Sequence, residues 1–143
     1  MRLWHKDLIH YLPKQQLLGQ WRECCSIASN IKSKGSPNHI LVNKIMDYPL
    51  EHFYIFCYLV YAEMIDRGYK VNWNRLQIVE NNLTKPEDYC AMYSLHIFYN
   101  WHNDIYLREC LYNLEEKYLC GGITKNEWKL IYDRFNYLTP LQL

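Results

Sequence analysis

Residues 50–68, LEHFYIFCYLVYAEMIDRG, are the stretch that decides the fold. Apolar side chains fill residues 53–62, so a helix here would be apolar almost all round and would lie inside the protein. This ten-residue run is about half as long as a bilayer requires, which argues against membrane insertion. Arg67 ends the segment with a cation, and Gly68 supplies a stop signal. The pattern predicts a central buried helix from about Pro49 to Arg67.

A first helix is predicted on the N-terminal side of this segment. Pro13 suits the first turn of a helix, and apolar residues recur after it at helical spacing, which predicts a helix over about 13–30. The stretch KSKGSPN (32–38) combines Gly, Pro and polar residues and predicts a loop.

Capping residues predict further helices in the second half of the chain. Two Thr-x-x-Glu capping boxes occur, and an aspartate can cap a helix that ends at Cys120 and Gly121; these signals are Thr84 with Glu87, Thr124 with Glu127, and Asp104. No stretch alternates over strand length. The sequence therefore predicts an all-α fold: a single compact domain over residues 1–143, with four to six helices around the central apolar helix.

Composition excludes several classes of protein and site. Half of the 143 residues are apolar, which is enough for a core that needs neither disulfide nor metal. The six cysteines show no C-x-x-C or zinc spacing, so we expect reduced, mostly buried thiols in a cytosolic protein. The pairs His5 with His10 and His96 with His102 lack metal-ligand geometry, and no glycine-rich phosphate loop occurs. We expect no metal, no cofactor and, from the absence of an export signal, a cytoplasmic location.

Positive charge is concentrated in the N-terminal third of a chain whose formal net charge is only +1. Residues 1–44 carry seven Lys and Arg against two acidic residues, a balance of +5, and the remaining residues carry nine against thirteen. The overall balance disfavours a strongly basic nucleic-acid binder, but the N-terminal third is suited to anions.

The first helix has a polar face with a carboxylate at its middle. At 100° per residue the polar side comprises Gln16, Gly19, Gln20, Glu23, Ser26 and Asn30, whereas Cys25 falls on the core side. Two readings of Arg22 and Glu23 are open at this point: a solvated charge pair, or a catalytic carboxylate with an electrostatic neighbour.

Four segments favour the catalytic reading when they are taken together. MRLW (1–4) is followed by QQLLGQWRE (15–23), residues 50–72 follow with an Arg-Gly-aromatic exit, and LYNLEEKY (111–118) matches more loosely. In this pattern the chain resembles the phage-type pyrimidine-dimer DNA glycosylase and abasic-site lyase family, to which the small helical endonuclease V of phage belongs. The chain as a whole is similar to a bacterial branch of that family.

The resemblance implies a nucleophile at the start of the chain. In the family a free α-amine attacks C1′ of the sugar, the base leaves, and a Schiff base and β-elimination follow. An α-amine titrates near about 7.7–8.0 and Lys near about 10.4, so far more of the α-amine is free base at neutral pH. Met is normally retained before a bulky residue such as Arg2, so the amine would belong to Met1. Glu23 would stabilise the developing positive charge of the sugar and move protons.

The resemblance also implies damaged double-stranded DNA as the partner, with no obligate protein partner and with association to the bacterial nucleoid during binding. The implied DNA-binding residues are Arg2, Arg22, Gln16, Lys6, Lys14, Lys32, Lys34 and Lys117. Gln16 stands where the phage enzyme has a histidine, and Ser26 stands where the family has a further arginine. Two alternatives stay open: a catalytically inactive nucleic-acid binder, and a helical protein-interaction module that uses its tyrosine-rich surface.

Overall fold

The computed structural model describes residues 1–87 and 96–143 of the chain, and this part of the protein is helical. In these two ranges five α-helices, α1 to α5, span Lys14–Lys34, Leu50–Asp66, Trp73–Asn82, Asp104–Leu119 and Lys125–Phe135. The same ranges contain two 3-10 helices, Lys6–Tyr11 and Asn43–Asp47. Within the described ranges there is no strand, and the predicted all-α fold is confirmed. None of these helices combines the length and the apolar character that a membrane crossing requires.

Helix α2 lies in the core, as its sequence predicts. Its middle contributes a nearly continuous run of buried side chains, from Phe53 to Cys57, followed by Val60. Burying each large apolar side chain contributes about 1.5–3 kcal/mol. Helix α1 packs against α2 and α3, and the first 3-10 helix also packs on α2. The predicted limits of α2 were correct to one residue at each end.

Helix α1 is longer than the sequence predicted. It continues to Lys34, four residues beyond the expected end, and the predicted loop therefore begins later than 32. Lys32 and Lys34 favour helix and suit the negative end of the helix dipole. Gly35 ends the helix at φ +75°, and its N–H donates to Ile31 O over 3.0 Å. A left-handed residue closes a helix in this way, and glycine adopts that conformation without steric cost.

Caps in the second half of the chain match the sequence signals in part. Thr124 and Glu127 form a reciprocal capping box at the start of α5, which confirms that prediction. Asn103, not Asp104, caps α4, because the Asn103 side chain accepts from Tyr106 N over 3.0 Å. Residues 84–87 are not helical, so the first predicted box does not open a helix there; residues 88–95 lie outside the described part of the chain.

The described cysteines are free thiols, and most are buried. Cys24, Cys25, Cys57 and Cys110 lie in the core, Cys120 is exposed, and Cys90 is outside the described residues. Burial raises the pKa of Cys25 to about 11, so this residue stays a neutral thiol in the core, as its place on the helix predicted.

Candidate active site

The first residues of the chain are packed into the protein beside α1. Leu3 is fully buried, and Trp4 is 7% exposed. Gln20 on α1 holds this segment with both ends of its amide: it accepts from Trp4 N over 2.7 Å and donates to Arg2 O over 3.1 Å. The side chain of Gln20 thereby pairs the buried N–H of Trp4 and the partly buried carbonyl of Arg2.

Burial of Gln20 corrects the description of the polar face of α1. Helical spacing puts Gln20 on the same side as Gln16 and Glu23, but Gln20 is only 1% exposed. The N-terminal segment covers that part of the helix, which no local sequence signal could reveal. Gln20 is thus a positioning residue that sequence analysis missed.

A second set of contacts fixes the other side of the N-terminal segment. The Tyr106 hydroxyl donates to Leu3 O, and Lys6 N donates to His102 Nδ1 over 2.9 Å. The rings of His5 and His102 stack with centroids 5.1 Å apart. Burial lowers the pKa of His102 to about 2, which leaves its imidazole neutral and able to accept this bond. From the sequence, His5 with His10 and His96 with His102 were considered as metal-ligand pairs and rejected. The fold instead stacks His5 on His102.

The two anchors bring the start of the chain next to the carboxylate of Glu23. Arg2 N donates to Glu23 Oε2 over 3.3 Å. Glu23 is partly buried, and Met1 is 39% exposed. Both residues line an open cleft of about 340 Å³, together with Arg2, Trp4, Gln16, Gly19, Gln20, Asn113 and Lys117. Met1, which carries the α-amine, and Glu23 were both named from the sequence, and they lie in the same cleft.

The cleft carries cationic and polar groups suited to an anionic ligand. The Arg2 guanidinium lies 5.4 Å from the ring centroid of Trp4, and Lys117 reaches the cleft from α4. Gln16 Oε1 is buried and has no hydrogen-bond partner among the residues that the structure describes. A buried polar atom without a partner is costly, so a ligand that donates a hydrogen bond would be favoured at this point.

Gly19 keeps the middle of the cleft open. A Cβ added at this position would meet nothing closer than an Arg22 guanidinium nitrogen at 3.7 Å, which is an ordinary contact. The protein's own packing therefore does not require glycine here. A side chain at position 19 would instead project into the space beside Glu23.

The other DNA-binding residues predicted from the sequence lie outside this cleft. Arg22 is exposed on α1 next to Glu23, and the Lys6 side chain is largely buried and pairs with Asp7 at 3.2 Å. Lys14 lines a separate cleft with His10 and Glu127. Lys32 and Lys34 are exposed at the far end of α1, about 14–17 Å from Glu23 along the helix axis. The fold thus brings together Met1, Arg2, Gln16, Glu23 and Lys117.

Asn113 is a further cleft residue that sequence analysis did not single out. It lies one helical turn before Lys117 on α4, within the loosely matched stretch 111–118, so both face the cleft. The spacing of four residues between Asn113 and Lys117 was the sequence signal that could have predicted this position.

Comparison with known proteins decides the family. The sequence profile of the pyrimidine dimer DNA glycosylase family matches residues 1–77, which are more than half of the 143-residue chain. The chain belongs to this family. The matched range contains the N-terminal segment, all of α1 and all of α2. No curated protein and no solved structure matches the chain.

Membership in the pyrimidine dimer DNA glycosylase family makes DNA the substrate at the family level. Of the cleft residues, those from Met1 to Glu23 fall inside the match. Asn113 and Lys117 fall outside it and reach the cleft through the packing of α4. Seven of the nine cleft residues therefore lie in the matched range, and the tertiary structure adds the other two from α4.

Proposed function

We propose that this chain is a DNA repair glycosylase and abasic-site lyase that acts on pyrimidine dimers or related lesions through the α-amine of Met1, with Glu23 as the catalytic carboxylate. The observation that carries the proposal is the bond from Arg2 N to Glu23 Oε2 at 3.3 Å. It holds the residue next to the α-amine against the carboxylate, in a cleft lined by both Met1 and Glu23.

The first chemical step is displacement at the sugar. The amine nitrogen of Met1 forms a bond to C1′, and the glycosidic bond breaks with its electron pair passing to the departing base. Positive charge develops on the sugar ring during this step, and the Glu23 carboxylate stabilises it. The amine then loses a proton, and its lone pair forms the C1′=N bond of the Schiff base. The C1′–O4′ bond breaks at the same time, and O4′ takes its electron pair and a proton.

The second step cuts the strand. A base removes a proton from C2′, the electrons form a C2′–C3′ double bond, and the C3′–O bond breaks to release the phosphate. In this proposal Glu23, which lines the same cleft as Met1, accepts that proton. Water then hydrolyses the imine and frees Met1.

Cationic residues at the cleft bind the DNA backbone in this proposal. Arg2 and Lys117 line the cleft, and the exposed Arg22 lies beside it. Gln16, whose carbonyl oxygen is buried without a partner in the described residues, accepts a hydrogen bond from the lesion strand. Lys6, Lys14, Lys32 and Lys34 contribute longer-range attraction to phosphates.

Borohydride trapping on abasic-site DNA tests the proposal. Borohydride reduces the Schiff base to a stable amine, so we expect a covalent adduct, and mass spectrometry of its peptides should locate the modification on the Met1 nitrogen. An uncleaved N-terminal tag should abolish trapping, and the same tag at the C-terminus is the matched control.

A catalytically inactive nucleic-acid binder would give a different result. Its affinity would fall with salt, by about 0.9 log units per log unit of salt for each phosphate neutralised, but it would form no adduct. That result, or an adduct on a lysine side chain, would overturn the proposed role of Met1.

A further inference from the structure

Two aliphatic side chains project into solvent from the segment between α1 and α2. Ile40 is 83% exposed and Leu41 is 51% exposed. Met46, six residues after Ile40, is 40% exposed. Two adjacent exposed aliphatic side chains leave apolar surface in water, and contact with another molecule would bury it.

The backbone holds these two side chains at the tip of a hydrogen-bonded turn. His39 O accepts from Val42 N over 3.1 Å and from Asn43 N over 2.9 Å. Asn43 Oδ1 in turn accepts from His39 N over 3.0 Å. Val42 is fully buried and anchors the turn to the core. Leu41 N also donates to His39 Nδ1 over 3.3 Å. The side chains of Ile40 and Leu41 take no part in these bonds, so the bonds do not depend on which side chains stand at the tip.

The turn stands directly beside the candidate active site. Ile40, Leu41 and Arg2 line a second cleft of about 180 Å³, and Arg2 also lines the cleft that contains Glu23. Lys44 lines the second cleft as well, so cations outnumber the acid there, Glu109. An apolar tip flanked by cations fits a partner with an apolar interior and an anionic outer surface. Duplex DNA has this arrangement, with stacked bases inside and phosphates outside.

We propose that Ile40 and Leu41 are an apolar wedge that inserts between base steps of duplex DNA and kinks it at the lesion. Side chains of this kind unstack a step and bend the duplex when they enter from a groove. The flanking Arg2 and Lys44 bind the phosphates on either side. The inference rests on the proposed function for its partner, and it assigns to the turn a role that the chemistry at Met1 does not supply.

Bending of a stable lesion duplex tests the wedge. A duplex carrying a central tetrahydrofuran abasic analogue cannot form a Schiff base, and dyes at its two ends report bending by energy transfer. Ile40→Ser and Leu41→Ser should each weaken binding about tenfold and lower the bent fraction, because each loses one buried aliphatic contact. Ile40→Met, which keeps an apolar side chain, should bend the duplex like the wild type.

Two controls separate a wedge from a general contact. Ile65→Ser removes a residue that is 46% exposed and lines none of the clefts described above, and it should leave bending unchanged. A duplex with a two-nucleotide gap opposite the analogue is already flexible, so Ile40→Ser and Leu41→Ser should bind it like the wild type. Wild-type bending by either serine variant, or equal loss of binding on intact and gapped duplexes, would overturn the wedge.

The outcomes also separate this inference from the proposed chemistry. Borohydride trapping by the wild type with normal bending by Ile40→Ser would leave the chemistry standing and remove the wedge. Bending that depends on Ile40 without any covalent adduct would leave the wedge standing and remove the proposed chemistry. Loss of self-association in Ile40→Ser, with bending unchanged, would assign the turn to contact between copies of the chain and would also overturn the wedge.

Discussion

Arg2 donates its backbone N–H to the Glu23 carboxylate across 21 positions of sequence. This bond ties the start of the chain to the middle of α1. It uses Oε2 of the carboxylate and does not involve Oε1. The second residue is therefore fixed while Met1 stays partly exposed at the edge of the cleft. In the proposed mechanism this position would hold the nucleophile near the reacting sugar without loss of access.

Removal of the negative charge at Glu23 should slow turnover and leave DNA binding nearly intact. In Glu23→Gln the amide oxygen can still accept from Arg2 N, so the N-terminal segment should keep its place. The variant loses the charge to which the proposed mechanism assigns stabilisation of the sugar and proton transfer, and we expect a rate about 10²–10⁴-fold lower. Single-turnover cleavage and equilibrium binding measure the two effects. Glu116→Gln on the exposed surface of α4 is the control, and an unchanged rate in Glu23→Gln would remove this residue from the mechanism.

Loss of the amide at Gln20 should loosen the N-terminal segment. Gln20→Leu keeps a side chain of similar size but leaves Trp4 N and Arg2 O without their partner. We expect a loss of about 1–3 kcal/mol in the free energy of unfolding, measured by urea denaturation. Adduct formation should slow because the α-amine is no longer held in place. Gln15→Leu, at an exposed position on the same helix, should do neither. Equal stabilities of the two variants would contradict the anchoring role.

Substitutions at Gly19 should separate stability from substrate access. Gly19→Ala adds a Cβ that fits, with its nearest neighbour at 3.7 Å, and it should stabilise α1 by about 0.5–1 kcal/mol. Gly19→Leu should fold as well, but its side chain would occupy the cleft beside Glu23. We expect thermal denaturation to show both proteins folded, while binding to lesion DNA falls only in the leucine variant. Normal binding by Gly19→Leu would show that DNA does not approach this face.

Acid should destabilise the fold through His102. Burial lowers the pKa of this residue to about 2, whereas a histidine in an unfolded chain titrates near about 6.5. Between these values the unfolded chain binds the proton and the folded chain does not. The free energy of unfolding is therefore not reduced by His102 above about pH 6.5. It falls as the pH decreases toward 2, by up to about 1.4 kcal/mol per pH unit.

The His102→Phe variant isolates this contribution. Urea denaturation between about pH 7 and pH 4.5 should give a shallower fall in the free energy of unfolding for the variant than for the wild type. His96→Phe replaces an exposed histidine and should keep the wild-type slope. Equal slopes in all three proteins would show that His102 is not held neutral by the fold.

The sequence determined the helices because their signals are local. The apolar run 53–62 demands burial, and the capping box at Thr124 pairs groups only three residues apart. The same locality explains the errors. The sequence predicted that α1 ends near residue 30, whereas it ends at Lys34. The reason is that Gly35 stops the helix more strongly than the preceding polar residues do.

The tertiary structure alone decided which side chains meet. Helical spacing placed Gln20 on a polar face, and only the packing of the N-terminal segment shows that this face is covered there. Lys117 enters the cleft 94 positions after Glu23, and His102 supports Lys6 over 96 positions. Periodicity describes neighbours within one helix, whereas these contacts arise from burial of apolar surface between helices, which no short stretch of sequence encodes.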